Sequence, residues 1–281
     1  MKIKLTTEQP VHRQPYRLSR SEQSIVKSKV DELLDAGIIK ESESSYASLV
    51  ILVKKKNGDS RLCVDYRALN AVTLKERYPL PNIDDQVSKL AGKRYFTSLD
   101  LAQSYHQVRI SPEDTHKTAF VTPQGHYEYT RVPFGLANAA SVFMRLINKI
   151  VESAGKTQHL SQNEILAFLD VLLLPSIDIK TGLQMLKNML SQFATENLKL
   201  NLNKCSFLQT QITYMGHETS SDGIQPSVAK LEAVSQFPVP SNVHDVRRFI
   251  GLCSYFRKCI FKPLNRLDEK EHVLGMANRT K

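Results

Sequence analysis

The sequence predicts an α+β fold. Three observations carry that reading. Apolar runs of strand length crowd the middle of the 281-residue chain, segments of helical period lie between them, and the chain turns helical near its end. Residues 1–18 read as extended and irregular, with Pro10 and Pro15. A helix is expected from Ser19, because Ser19-Arg20-Ser21-Glu22 has capping-box form and Val26, Val30, Leu33 and Leu34 make one apolar stripe. Gly37 suits the position just past its end. Residues 48–54 read as a buried strand and 60–66 as the returning one, joined by the basic turn Lys54-Lys55-Lys56-Asn57-Gly58-Asp59.

Residues 94–101 form a further strand, with Asp100 at its end. Residues 117–131 alternate about Pro123-Gln124-Gly125, which predicts a second hairpin. Val142, Phe143, Leu146, Ile147 and Ile150 give helical spacing over 138–151. The run 165–174 is apolar except for Asp170. A helix over 182–198 and one strand over 211–219 follow, then a turn at Ser220-Ser221-Asp222-Gly223. From 227 the pattern is helical, broken by Pro238 and Pro240, and a last helix near 243–260 carries Val243, Val246, Phe249, Ile250, Cys253, Phe256 and Ile260.

The hydrophobic content of 41% and charged content of 23% describe a soluble globular chain. No apolar run approaches the roughly 20 residues of a membrane span, and the start lacks a secretory h-region, so a cytoplasmic or nuclear location is expected. A net charge of +10 points to a polyanionic partner without choosing among DNA, RNA and a membrane surface. Cys63, Cys205, Cys253 and Cys259 form no Cys-x-x-Cys pair and are expected as free thiols.

Two carboxylates stand among apolar neighbours. Asp100 follows Phe96-Thr97-Ser98-Leu99, and Asp170 follows Ile165-Leu166-Ala167-Phe168-Leu169. Burying an ionised carboxylate is costly unless a cation or donors meet it. Two such groups at adjacent strand ends would make a hard-oxygen site suited to Mg²⁺, the arrangement used for in-line displacement at phosphorus. The alternative is that each aspartate caps a turn or pairs with a lysine.

The block ASLVILVKKKNGDSRLCVDYRALN at 47–70 resembles the fingers segment of gypsy-type LTR retrotransposon reverse transcriptases. YPLPNIDD (78–85), YFTSLDLAQSYHQVRI (95–110), RVPFGLANAASVF (131–143), LNLNKCSF (200–207), ITYMGHE (212–218) and VRRFIGLCSYFRKCI (246–260) continue the resemblance in the family's order. It implies a right-hand polymerase with fingers, a ferredoxin-like palm and a helical thumb. The implied divisions are 1–92 for the first part of the fingers with an N-terminal extension, 93–110 for palm and 111–132 for the second part of the fingers. Palm with primer grip follows over 133–223, a shortened thumb over 224–262, and an unassigned tail over 263–281.

The resemblance also implies roles. Asp100 and Asp170 match metal-binding, catalytic aspartates, with the Leu101 carbonyl as an extra metal ligand. Two Mg²⁺ ions, replaceable by Mn²⁺, are the implied cofactors. Lys55 and Arg61 match the residues that hold the incoming triphosphate, and a point charge with a forked guanidinium suits that task. Tyr105 matches the aromatic that rejects a 2′-hydroxyl, and Phe134 lines the nucleotide pocket. Tyr214, Met215, Gly216 and His217 match the primer grip. Arg247, Arg248, Arg257 and Lys258 match a thumb helix that follows the phosphate backbone. The implied partners are an RNA or DNA template with primer and deoxynucleoside triphosphates.

The resemblance breaks at Val171, which stands where the Tyr-x-Asp-Asp hairpin has its second aspartate. Valine binds no metal, and as a β-branched residue it suits a turn poorly. Leu49 and Ala140 replace usual prolines, Met144 a usual glutamine, and Phe168 the hairpin tyrosine. About a dozen family residues are skipped after Ile260, and no RNase H, integrase or protease block is expected here. The expected function is RNA-directed DNA synthesis impaired at Val171. The alternative is a catalytically inactive, nucleic-acid-binding relic.

Overall fold

A computed structural model describes residues 1–14, 17–54, 58, 60–156 and 165–255 of the chain. Helix α1 spans Arg20–Asp35 and opens with the predicted capping box: Ser19 and Glu22 satisfy each other's backbone N–H groups. Val26 and Val30 are its buried stripe. Gly37 follows at φ +63°, a left-handed conformation that glycine adopts without a Cβ penalty.

Strands β1 (Ile39–Glu41), β2 (Ser48–Lys54) and β3 (Ser60–Asp65) come next, then the short helices α2 (Arg67–Val72) and α3 (Ile83–Ser88). Strand β4 covers Tyr95–Asp100, and 3-10 turns at Ser104–Gln107 and Pro112–Thr118 lead to β5 (Phe120–Thr122) and β6 (Gly125–Tyr129). Helix α4 (Ala139–Lys156), strands β7 (Leu166–Phe168) and β8 (Val171–Ser176), and helix α5 (Ile179–Thr195) follow. Strands β9 (Ser206–Gln209), β10 (Gln211–Tyr214), β11 (His217–Ser220) and β12 (Gly223–Pro226) precede helices α6 (Val228–Ser235) and α7 (Val243–Tyr255).

Among the described residues the strands form three sheets. Five strands run in the order β1-β6-β5-β2-β3, four in the order β7-β8-β4-β9, and β10-β11-β12 form a meander. The described chain divides into two compact units. One comprises Met1–Pro81, Ser98–Leu174 and Gln184–Ser206, and the other Asn82–Thr97, Pro175–Leu183 and the chain from Phe207. The first unit holds two apolar clusters. One gathers Val26, Val30, Tyr66, Leu69, Phe120 and Tyr129 beneath the five-stranded sheet. The other joins Leu99 and Leu101 to Phe143, Met144 and Ile147 of α4 and Met185 and Met189 of α5. The predicted stripe of α4 is thus the face that carries β4's end.

Three expectations are corrected. The single strand over 211–219 is two strands, because Met215 (φ +49°) and Gly216 (φ +73°) turn the chain between β10 and β11. Val171 is no turn residue: it opens β8 and pairs with Phe168. In α7, Phe249 meets Phe237 with ring centroids 5.3 Å apart, but Val243, Val246 and Ile250 are exposed, so most of the expected apolar stripe is not core. The end of that helix, including Phe256, Cys259 and Ile260, and most of the basic turn after Lys54 lie outside the described residues. Cys63, Cys205 and Cys253 are free thiols. Among the described residues no helix is long and apolar enough to cross a membrane.

Candidate active site

The first unit builds its site around two backbone junctions. Asp100 ends β4, and the next residue, Leu101, donates its N–H to the Asp170 carbonyl at 3.0 Å. Asp170 is the second residue of the two-residue turn between Phe168 and Val171. The first, Leu169, sits at φ +52°, an uncommon conformation for a residue with a Cβ. Its N–H reaches the Met144 sulfur at 3.1 Å. The other side of Asp100 is fixed by its carbonyl, which accepts from Asn201 N–H at 2.9 Å, and by its N–H, which donates to Cys205 Sγ at 3.4 Å.

Asp100, Leu101 and Asp170 line a cavity of about 570 Å³ together with Arg61, Gln103, His106, Phe134 and Lys204. Phe134 is its aromatic hub. Tyr105 meets Phe134 edge-on with centroids 4.9 Å apart, His106 does so at 5.8 Å, and the Arg61 guanidinium lies 5.3 Å from the ring centre. Tyr105 also packs edge-on against Phe143 at 5.5 Å. Arg61 is not the partner of Asp65, whose carboxylate pairs with Arg67 at 2.6 Å.

Burial, with the Asp170 charge behind it, raises the Tyr105 hydroxyl above its ordinary value. Burial beside Arg131 pushes His106 down to about 4, so this imidazole is neutral at pH 7. Lys204 Nζ stands 3.6 Å from Asp100 Oδ2. The lysine-pairing alternative therefore coexists with the two-carboxylate arrangement at Asp100.

The remaining sequence candidates lie in the second unit or outside the described residues. Tyr214–His217 form the β10–β11 turn, where Ser227 N–H donates to the Gly216 carbonyl at 2.9 Å and Tyr214 Oη to Gln86 Oε1 at 3.4 Å. Arg247 is exposed on α7, and Arg248 pairs with Asp245 at 3.7 Å and lies over the Phe237 ring. Lys55, Arg257 and Lys258 lie outside the described residues. Sequence reasoning missed His106, Lys204, Cys205 and Asn201. All four sit inside the quoted blocks or beside them, but only their contacts in the folded chain single them out.

Residues 53–219 match the family described as reverse transcriptase (RNA-dependent DNA polymerase). The chain belongs to the reverse transcriptase family. Among curated relatives, it is 37% identical over 263 residues to the retrovirus-related Pol polyprotein from transposon 297 of Drosophila melanogaster, covering 92% of this chain and 24% of that one. It is 37% identical to the corresponding polyprotein of transposon opus of the same organism, over 94% of this chain and 27% of that one. It is 33% identical to the Tf2-3 polyprotein of Schizosaccharomyces pombe over 91% of this chain and 19% of that one. The chain thus spans about a quarter of the length of the first two of these polyproteins, and it corresponds to their LTR-retrotransposon reverse transcriptase region. Among solved structures, the foamy viral protease-reverse transcriptase in complex with dsDNA matches 94% of this chain and 55% of that one, with a TM-score of 0.80 at 18% identity. The fold is accordingly the α+β right-hand fold of reverse transcriptases.

Reverse transcriptases use divalent metals, and the donor set can be tested for one. Asp100 and Asp170 supply hard oxygens, and no hydrogen bond reaches the Leu101 carbonyl among the described residues. That set fits a divalent cation. It is thin, however, because no group of three or more carboxylate, imidazole or thiol side chains gathers anywhere among the described residues. Val171, next to Asp170 in the chain, adds no oxygen donor from its side chain.

Proposed function

We propose that this chain is an RNA-directed DNA polymerase domain whose turnover is reduced by Val171. The observation that carries the reading is the shared cavity of Asp100, Leu101, Asp170, Arg61 and Phe134. In this reading a primer 3′-hydroxyl attacks the α-phosphorus of a deoxynucleoside triphosphate, the new phosphodiester bond forms, and pyrophosphate leaves. Arg61, with Lys55 as its partner, holds the triphosphate through charge-assisted hydrogen bonds. Tyr105, braced edge-on by Phe134 and Phe143, is the wall that a 2′-hydroxyl would strike. Asp100, Asp170 and the Leu101 carbonyl would hold Mg²⁺, two ions in the full complement, which when bound offsets the charge that builds on the phosphoryl oxygens. The β10–β11 turn at Tyr214–His217 acts as primer grip, and Arg247, Arg248, Arg257 and Lys258 follow the duplex backbone. Fingers are assigned to 1–92 and 111–132, palm to 93–110 and 133–223, and thumb to 224–262.

Val171 favours a second reading, a polymerase-dead chain that still binds template and primer. Both readings predict binding that weakens steeply with salt; turnover separates them. The test is primer extension on poly(rA)–oligo(dT), comparing the native chain with Val171→Asp. A lost ligand worth about 4 kcal/mol of transition-state stabilisation corresponds to roughly three decades in rate. Val171→Asp is therefore expected to extend primers up to about a thousandfold faster. Equal, robust synthesis by both chains would overturn the impairment, and binding without synthesis by either would support the second reading.

A further inference from the structure

We propose that a second, separate cavity in the first unit is a binding site for phosphate-rich anions, built on the arginine pair Arg109 and Arg131. The two residues face each other across an isolated antiparallel bridge. The bonds flanking them run from Ile110 N–H to the Thr130 carbonyl (3.0 Å) and from Val132 N–H to the Val108 carbonyl (2.9 Å). That pattern makes 109 and 131 a non-hydrogen-bonded pair, the kind in which opposed side chains share a face and stand closest.

Like charges directly opposed in this way destabilise a ladder unless something lies between them. Among the described residues Arg109 has no carboxylate or other side-chain acceptor, and Arg131 reaches only the backbone carbonyls of His106 and Gln107 at 3.4 and 3.3 Å. The nearby acid, Glu128, is committed elsewhere. It takes Lys40 at 3.0 Å, Ser42 at 2.6 Å and Thr115 at 2.8 Å.

Both arginines line one cavity of about 330 Å³, whose wall also includes Gly37, Lys40, Ile110, Pro112, Thr115 and Thr130. That volume lies at the lower end of the roughly 300–1,000 Å³ typical of small-molecule sites. Two guanidinium forks present several parallel N–H donors, the geometry that favours phosphate over a spherical anion. Lys40 and Thr115 are engaged with Glu128, and the Thr130 hydroxyl donates to the Gly37 and Ile38 carbonyls, so the two guanidiniums are the donors on which the site rests. The site also adjoins the reaction cavity by steps. Arg131 is shared with a neighbouring cavity of about 400 Å³, whose Gln103 and His106 in turn line the cavity of Asp100 and Asp170. The assignment stands on the arginine pair and holds whether or not the chain polymerises DNA.

The experiment is calorimetric titration of the native chain without divalent cations, using pyrophosphate as one probe and a short oligo(dT) as the other. The variants are Arg109→Ala, which removes the unpartnered member, and Arg61→Ala, which disables only the reaction cavity. Arg109→Ala should bind pyrophosphate at least about tenfold more weakly, while Arg61→Ala keeps a binding event of native strength. A loss confined to oligo(dT) supports the same site with backbone phosphate as its natural occupant. In phosphate-free buffer, Arg109→Ala should also melt no lower than the native chain, because it relieves the like-charge contact. Native affinity of Arg109→Ala for both probes would overturn the proposal.

Discussion

Phe134 is the aromatic hub of the cavity that Asp100 and Asp170 line, and its contribution can be measured without any catalytic assay. Replacing it with leucine keeps an apolar side chain of similar reach and removes the ring's quadrupole. The edge-on contact with Tyr105 at 4.9 Å should be worth about 0.5–1.5 kcal/mol beyond buried area. The Arg61 contact at 5.3 Å sits on an exposed arginine and a ring that is 40% exposed, so it belongs at the weak end, about 0.5–1 kcal/mol. Phe134→Leu is thus expected to cost about 1–2.5 kcal/mol in urea unfolding. The decisive measurement is a double-mutant cycle with Arg61→Met. A coupling of about 0.5–1 kcal/mol is expected between the two positions. A coupling below about 0.3 kcal/mol would mean that Arg61 is not held by the ring, and the account of a preformed aromatic platform would fail.

Other perturbations give equally definite expectations. Lys204→Gln removes an exposed charge 3.6 Å from Asp100, worth about 1 kcal/mol in water, so Mn²⁺ should bind about fivefold tighter by titration; unchanged or weaker binding would contradict the arrangement. Ser19→Ala breaks the capping box of α1 and should cost about 1 kcal/mol, seen as a lower urea midpoint with an unchanged slope. Burial alone would raise the Asp114 carboxyl, but bonds from Lys117 and from the Ile3 N–H hold it below its ordinary value. A depressed carboxylate stabilises the fold above its unfolded value near 4 and loses that contribution as pH falls through the folded value. Thermal melting should therefore drop on acidification below about pH 4, and Asp114→Asn should flatten that drop. An unaltered acid slope would remove Asp114 from the cause.

Much of this architecture was legible because local chemistry and tertiary packing agree. The capping box at Ser19 and the stripe of α4 each name an element whose buried face the fold then uses, whereas β2, read as a buried strand over 48–54, is buried only at Ser48–Val50 and exposes Ile51 and Val53. Where the sequence misled, a residue takes a conformation its type rarely adopts. Met215 at φ +49° hides a turn inside what reads as one strand, and Leu169 at φ +52° takes the turn position that Val171 was expected to occupy. Valine at 171 is consequently at ease in β8, and the local backbone shows no sign of its being a replacement. The contacts of His106 and Lys204 were illegible for a different reason. Each depends on residues distant in the chain, and spacing says nothing about which distant groups will meet.

The bond from Leu101 N–H to the Asp170 carbonyl has a further consequence. It joins the end of β4 to the Phe168–Val171 turn through main chain alone, so the bond itself is indifferent to which side chains stand at 101 and 170. Side chains at such a junction can be exchanged while the bond between the two segments persists. A sequence can therefore drift at these positions with this part of the fold intact.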